Sequence, residues 1–307
     1  MKSIWPRKKS HCRIGIEVSA EAIGFSVINM ANAEQAHVEV CERYSIGPDM
    51  PEGLSVVAER LRQLGLVQAP CYGVLSQGDY ELLLIEAPNV PADELKDAAY
   101  WRLKDLITFP INEAATDIFQ LPDAEKNNGK SMLYAVVVRK TIIQTLIDTV
   151  AQLNLTLCSI DIPELCCRNL LEYLPANDKG IALLRLQQGQ GNLFLVKNTH
   201  LYLSRYFPLN YHGGVEDALP EDKLILELQR SFDYYERQMG QLPPIEIVFN
   251  GENVIAEKIT TTISSSFPAA CTTFPWEDVM SVSDKVDYNL LASSMPTIGA
   301  AMRKGNI

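Results

Sequence analysis

The chain has 307 residues, 47% of them apolar and 21% charged, which is enough apolar material for one large core or two smaller ones and excludes disorder over most of the length. Its 38 acidic residues against 27 basic ones leave a net charge of −11, which excludes the global basic field of a nucleic-acid binder and reads as simple solubility. The seven cysteines (Cys12, Cys41, Cys71, Cys158, Cys166, Cys167 and Cys271) are odd in number and show no C-x-x-C spacing, so they are expected to be reduced core thiols.

The chain opens on Lys2, Arg7, Lys8, Lys9, His11 and Arg13 around Trp5. Residues 1–12 read as a flexible, solvated leader, with contact to anionic lipid headgroups as the alternative. The apolar stretch after it, Ile14 to Met30, is broken by Glu17, Ser19 and Glu21, so no signal peptide is expected. Leu133 to Val138, typical of the strongest apolar runs, is far too short to span a bilayer. A cytoplasmic protein is the expectation.

Ile14–Val18, Ile23–Ile28 and His37–Tyr44 read as an antiparallel meander with a turn at Ser19–Glu21. A helix is predicted from Leu54 to Leu64, with Leu54, Val57, Ala58, Leu61 and Leu64 on one face and Gly65 at its C-terminal cap. Strands follow near Tyr72–Leu75 and Glu81–Glu86. Pro91–Leu106 reads as a helix, with acidic Asp93 and Glu94 in its first turn, ended by Phe109-Pro110. Ile111–Leu121 can include a strand, Asp123–Lys130 is a polar turn, and Met132–Val138 is a β-branched strand. Thr141–Leu153 is an amphipathic helix and Leu155–Asp161 a short strand.

The opening order then recurs. Gly180–Leu186, Asn192–Lys197 and Leu201–Phe207 are three strands, Pro220–Gln238 is a strong helix, Ile245–Phe249 a strand and Asn253–Ser265 a second helix. This is a repeat of architecture, not of sequence. It predicts an α/β fold of two similar lobes around a cleft, the place where ligands usually bind. The expected division is a first lobe of 13–86 and 162–179, an inserted α-β-β-α-β subdomain of 87–161, and a second lobe of 180–307.

Catalytic signals are thin. The four histidines, His11, His37, His200 and His212, show no metal-ligand spacing. Ser76 in Gly73-Val74-Leu75-Ser76-Gln77-Gly78 is one residue off a nucleophile elbow. The acidic pair Asp161 and Glu164 reads as a helix cap rather than an acid/base site.

Several segments resemble, in order along nearly the whole chain, the PilM family of type IV pilus assembly proteins. These are relatives of the division protein FtsA and of the cytoplasmic part of the type II secretion L protein. The segments are Ile14-Gly15-Ile16-Glu17-Val18-Ser19, Val90 to Leu95 running on to Trp101 and Leu106-Ile107-Thr108-Phe109-Pro110 with Asp117 beyond, and Ser159 to Leu165 with Arg168 in the helix after it. Leu226 to Tyr235 and Pro296 to Arg303 complete the set. No single motif is specific; the ordered set is, and the MSHA-pilus branch of the family is the most similar. The resemblance implies a duplicated actin-like, ribonuclease H-like fold with a PilM/FtsA-type insertion.

Active members of that superfamily open each lobe with an Asp-containing phosphate hairpin. Here the first hairpin has Glu17 for the aspartate, Ser19 for the glycine, Ala20 for the Thr/Ser and Gly24 for the lysine. In the second, Arg185 stands where the carboxylate would be, with Gln187 and then Gly189 and Gly191 as a shifted loop. A cation at that place can contact phosphate but cannot coordinate Mg²⁺. Gly251 keeps one glycine of the adenosine motif, and Gly213-Gly214 retain a turn before a helix. A degenerate cleft is therefore expected, with no metal, no ATP hydrolysis and no required cofactor. The resemblance implies a docking role instead: a groove of the inserted subdomain and first lobe that holds the cytoplasmic tail of a PilN-type inner-membrane protein and joins the chain to the pilus assembly platform. Leu95, Trp101, Leu103, Leu106, Phe109 and Pro110, with Ala99, are its candidate residues. Leu95, Ala99, Leu103 and Leu106 read first as a core face of the insertion, and Trp101, which lies off that face, is the better interface candidate. The rival class is an actin-like or sugar-kinase-like enzyme turning over MgATP. A secretion L-type protein predicts a membrane-spanning helix after its cytoplasmic domain, and none is expected before Ile307.

Overall fold

The computed structural model describes residues 11–31, 35–46, 50–122, 131–175, 178–187, 189–211, 219–252 and 256–304. The basic leader through residue 10 and the 123–130 turn lie outside them.

The first meander forms as the alternation predicts. β1 (Cys12–Val18), β2 (Ala22–Asn29) and β3 (His37–Ser45) pair antiparallel, with Glu17 opposite Gly24. Helix α1 (Met50–Gln63) buries Val57 and Leu61. Gly65, at φ +74°, ends it in the left-handed conformation that glycine adopts without strain. β4 (Pro70–Val74) then runs parallel to β1.

Next come β5 (Tyr80–Glu86), α2 (Leu95–Leu103), a single 3-10 turn (Ile111–Glu113), β6 (Ala114–Gln120) and β7 (Met132–Arg139). The three strands make a separate antiparallel sheet in the order β5-β7-β6. Leu95, Ala99 and Leu103 of α2 cover one face, on Leu133, Ala135 and Val137. The other face turns to the second lobe, where the Tyr134 hydroxyl donates to the Tyr202 carbonyl at 3.0 Å. α3 (Lys140–Gln152), β8 (Thr156–Asp161) and α4 (Pro163–Leu171) return to the first lobe, with β8 parallel to β4.

The second lobe contains β9 (Ile181–Gln187), β10 (Gln190–Lys197), β11 (His200–Pro208), α5 (Glu221–Arg237), β12 (Glu246–Gly251), α6 (Ala256–Ser266) and β13 (Ala270–Thr273). Its strand order is β11-β10-β9-β12-β13, against β3-β2-β1-β4-β8 in the first lobe. The predicted duplication is therefore a duplication of sheet topology. α7 (Trp276–Val279), β14 (Ser281–Val282), α8 (Tyr288–Ser293) and α9 (Met295–Ala301) finish the described chain.

Three placements differ from the expected division. β5 belongs to the three-stranded sheet and not with residues 13–79, because its hydrogen-bonding partner is β7. β8, expected in the insertion, is an edge strand of the six-stranded first sheet. β14 and α9, expected in the second lobe, pack on the first: β14 adds to β3, and α9 lies across β1, β2 and α4. The close approach of α9 needs small residues. A methyl on Gly15 would overlap the Thr297 carbonyl, and one on Gly299 the Cys166 carbonyl. The buried Ser26 and Thr297 hydroxyls meet at 2.6 Å. Ile28, Val38, Leu170 and Leu171 share one core with Leu183, Phe194, Met295 and Ile298, so the lobes are joined through apolar contact as well.

Candidate functional site

A cleft of about 820 Å³ opens between the lobes. Glu17, Ser19 and Ala20 of the β1–β2 turn border one side, and Gln187, Gln190 and Glu252 the other. Among the described residues, Glu17, Glu21, Asp79 and Glu252 line it against a single cation, Arg43, an excess of negative charge. Burial pushes the Asp79 carboxyl above its ordinary value, which makes the negative charge there still less comfortable.

Three amides of the first hairpin, those of Ser19, Glu21 and Ala22, are already used. The Ser19 hydroxyl accepts from the backbone of Ala22 at 3.0 Å and of Glu21 at 3.4 Å, and donates back to the Ala22 carbonyl. Ser19 N–H donates to the same carbonyl at 2.9 Å. In the second hairpin, Gly189 sits at φ +76°, with its N–H donated to Tyr211 and its carbonyl accepting from Leu209. Gly191 is small because a methyl there would run into the Phe207 ring, not because a phosphate needs room. Gly251 is buried at the end of β12, opposite Leu186. Gly213 and Gly214 lie outside the described residues.

Arg185 is not where a phosphate contact needs it. It is 2% exposed, one step along the strands beneath the cleft floor, flanked in register by Asn192 of β10 and Asn250 of β12. Its Nε and one Nη, and the Oδ1 atoms of both asparagines, have no hydrogen-bond partner among the described residues. Among the described residues, a Mg²⁺-triphosphate would meet four carboxylates, engaged amides at Ser19, Glu21, Ala22 and Gly189, and Arg43 as the one lining cation; these residues do not fit it.

A second concavity lies between the three-stranded sheet and the first lobe. This pocket, about 170 Å³, is lined by Ala115, Thr116 and Asp117 of β6 and by Ile160, Asp161 and Ile162 at the end of β8. Successive strand residues point to opposite faces, so three in a row on each side mean that strand edges border the pocket. Among the described residues β6 pairs only with β7 and β8 only with β4, so each is an edge strand there. Leu75, Phe119, Ile143 and Leu165 supply the apolar floor.

The candidate groove residues lie elsewhere. Leu95, Ala99 and Leu103 form the core under α2, and Phe109 packs beneath the Arg139 guanidinium, 4.1 Å from its ring centre. Trp101, 68% exposed, and the exposed Leu106 stand on the outer side, with Pro110 also at the surface. Asp117 holds Lys96 at 2.8 Å. Asp161 does not cap α4: it pairs with Arg303 at 3.0 Å and accepts from the Ile162 N–H, while Ile162 is the cap residue. Glu164, 1% exposed, is no cap either. It accepts from the hydroxyls of Tyr80 at 2.6 Å, Ser204 at 3.1 Å and Tyr206 at 3.2 Å, joining the three-stranded sheet, α4 and the second lobe.

No family model matches the sequence, and no curated protein matches it. Among solved structures, the chain is similar to a chain of the PilM–PilN type IV pilus biogenesis complex, with TM-score 0.67 and 16% identity over 97% of each chain. It is also similar to the cytoplasmic domain of EpsL, an inner-membrane component of the type II secretion system of Vibrio cholerae, with TM-score 0.55 and 12% identity over 96% of this chain and 97% of that one. A Bacteroides thetaiotaomicron protein with an actin-like ATPase fold follows at TM-score 0.50 and 10% identity, over 89% of this chain and 93% of that one. The chain has the actin-like ATPase fold. In that fold the two lobe sheets face each other across the cleft described above, and the β5-β7-β6 sheet is an addition beside the first lobe. Among the described residues, no helix is long and apolar enough to cross a membrane.

Proposed function

We propose that this chain is a non-catalytic, PilM-like adaptor of the type IV pilus assembly platform, in the MSHA branch, that holds the cytoplasmic tail of a PilN-type inner-membrane protein at the inner face of the membrane. The observation that carries the reading is the apolar pocket bordered by two edge strands, β6 and β8, on a body whose inter-lobe cleft is lined mostly by carboxylates among the described residues. An extended tail adds main-chain hydrogen bonds to such an edge and buries alternate side chains in the pocket. The fold shared with a chain of the PilM–PilN complex supports the same assignment. Trp101 and Leu106 offer a further apolar face on the outer side of α2.

Calorimetric titration with the cytoplasmic tail of the PilN-type protein tests it. Leu165→Arg, in the pocket, should abolish binding, and Trp101→Ala with Phe109→Ala reports whether α2 contributes. Full binding by Leu165→Arg would remove the pocket. The enzyme alternative is tested by heating with MgATP: a ligand present at 100 times its Kd stabilises by about 2.7 kcal/mol. No shift is expected, and a saturable one of that size would restore the ATPase reading.

A further inference from the structure

Nothing in the docking role uses the opening of the chain. Its first thirteen residues hold Lys2, Arg7, Lys8, Lys9 and Arg13, and no acidic residue comes before Glu17. A chain of net charge −11 thus gathers five cations at one place in its sequence. We propose that this segment binds the surface of an anionic phospholipid bilayer directly, so that the protein has a basic corner for the membrane besides any pocket for a partner. The inference stands whatever the pocket between β6 and β8 holds.

The fold decides where that charge is delivered. The segment joins the described body at the start of β1, at Cys12, while the acidic cleft with Glu17, Glu21, Asp79 and Glu252 lies at the other end of the same strand. At about 3.3 Å per strand residue the two are about 20 Å apart, more than two Debye lengths at physiological salt. The corner itself is not acidic. Among the described residues Arg13 forms no ion pair; its guanidinium donates to the carbonyls of Ala301 at 3.4 Å and Arg303 at 3.0 Å. The acidic residues beside the end of α9 are engaged: Asp161 holds Arg303 at 3.0 Å, and Glu172 holds Lys304 at 3.6 Å. Glu39, next to Cys12, accepts from the Asn29 amide at 2.8 Å. An anionic leaflet therefore attracts this corner and repels the rest, which turns the start of β1 toward the lipid and the cleft away from it. Trp5 lies within the basic run, and tryptophan is a side chain that settles at headgroup depth. Attraction of this kind is reversible by itself and becomes firm when a second tie to the membrane acts with it.

Co-sedimentation of the full chain with vesicles, and with no partner protein present, tests this. Phosphatidylcholine alone is compared with phosphatidylcholine containing about 30% phosphatidylglycerol, at about 50 mM salt, where screening is weak. Binding is expected to the anionic vesicles only and should be lost at about 500 mM salt. Lys2→Gln, Arg7→Gln, Lys8→Gln and Lys9→Gln together should weaken it more than about a hundredfold, at roughly fivefold per charge, with the urea midpoint unchanged. Lys223→Gln, Arg237→Gln and Lys258→Gln together, which remove cations from the second lobe, should weaken it by roughly threefold at most. Failure of the wild type to sediment with anionic vesicles, equal binding to neutral ones, or an equal loss from the second-lobe set would overturn the proposal. Tighter binding to a DNA duplex than to anionic vesicles at matched phosphate concentration would overturn it too, by making the segment a nucleic-acid contact.

Discussion

Replacing Arg185 with methionine should make the protein more stable, although the residue lies in the core of the second lobe. Its guanidinium is 2% exposed, has two nitrogen atoms without partners among the described residues, and forms no ion pair among them. Each buried, unpaired donor costs about 1–3 kcal/mol. Swapping a buried ion for an apolar side chain of similar length commonly gains about 1–4 kcal/mol. Methionine follows the same path between Asn192 and Asn250 and removes both orphaned donors. The expected gain of about 1–4 kcal/mol appears as a higher urea midpoint with an unchanged slope. In a scan it raises Tm by roughly 2–4 °C per kcal/mol. A loss of stability of the size of a core truncation would refute the reasoning, since it would mean the guanidinium is satisfied in solution. So would a MgATP-induced stabilisation present in the wild type and missing from Arg185→Met, which would place the side chain on a phosphate.

Gly15→Ala should cost about 3 kcal/mol or more, because the new carbon would stand 2.5 Å from the Thr297 carbonyl carbon and 3.0 Å from its Cα, backbone against backbone; a loss below about 1 kcal/mol in urea would show that α9 is not seated there. Glu164 gives a pH signature. Burial holds its carboxyl above the ordinary range although three hydroxyls pull the other way, so the folded state keeps a proton that the unfolded state has released. Stability contributed by Glu164 is present below the unfolded value of about 4.3 and is lost as pH rises through the folded one. Urea midpoints taken from pH 4.5 to 7.5 should fall less steeply in Glu164→Gln, with the residual slope left to Asp161 and Asp79, which shift the same way; parallel curves would remove the effect. Finally, Cys12, Cys41, Cys71, Cys166 and Cys167 are buried, and burial pushes the half-buried Cys271 thiol up to about 11. Ellman's reagent at pH 8 should therefore label Cys158 first, Cys271 slowly and the other five only on unfolding, and fast labelling of more than two thiols would contradict the packing.

The lobes were legible in the sequence because their signals are local. Alternation in Ile14–Tyr44 and Gly180–Phe207 gives meanders, and helical spacing gives α1 and α5. Sheet membership was not legible, because it is decided between segments far apart. Tyr80–Glu86 reads as a strand whichever sheet it joins, and its pairing with Met132–Val138 is set by apolar faces on both. The cleft residues Glu17, Ser19, Ala20 and Gln187 follow from hairpin position, but the burial of Arg185 does not, since alternation alone would accept an arginine only on a wet face. A groove between the insertion and the first lobe was expected, but its lining residues were missed for a related reason. Ala115–Asp117 and Ile160–Ile162 each look like ordinary strand, and only the fold sets their open edges on one cavity. The exposure of Trp101 was readable from its place off the apolar stripe of α2.

The last described helix has a consequence for how the chain is made. β1 emerges from the ribosome long before the last described helix, yet its Gly15 lies under Thr297 and its neighbour Ser26 shares a hydroxyl contact with that residue. Met295 and Ile298 complete the core that Ile28 and Val38 begin. The native seam on β1 and β2 can therefore be covered only after Met295–Ala301 has been made. Until that moment the nascent protein needs protection from aggregation at β1–β3, and a truncation just before Met295 would expose that seam permanently.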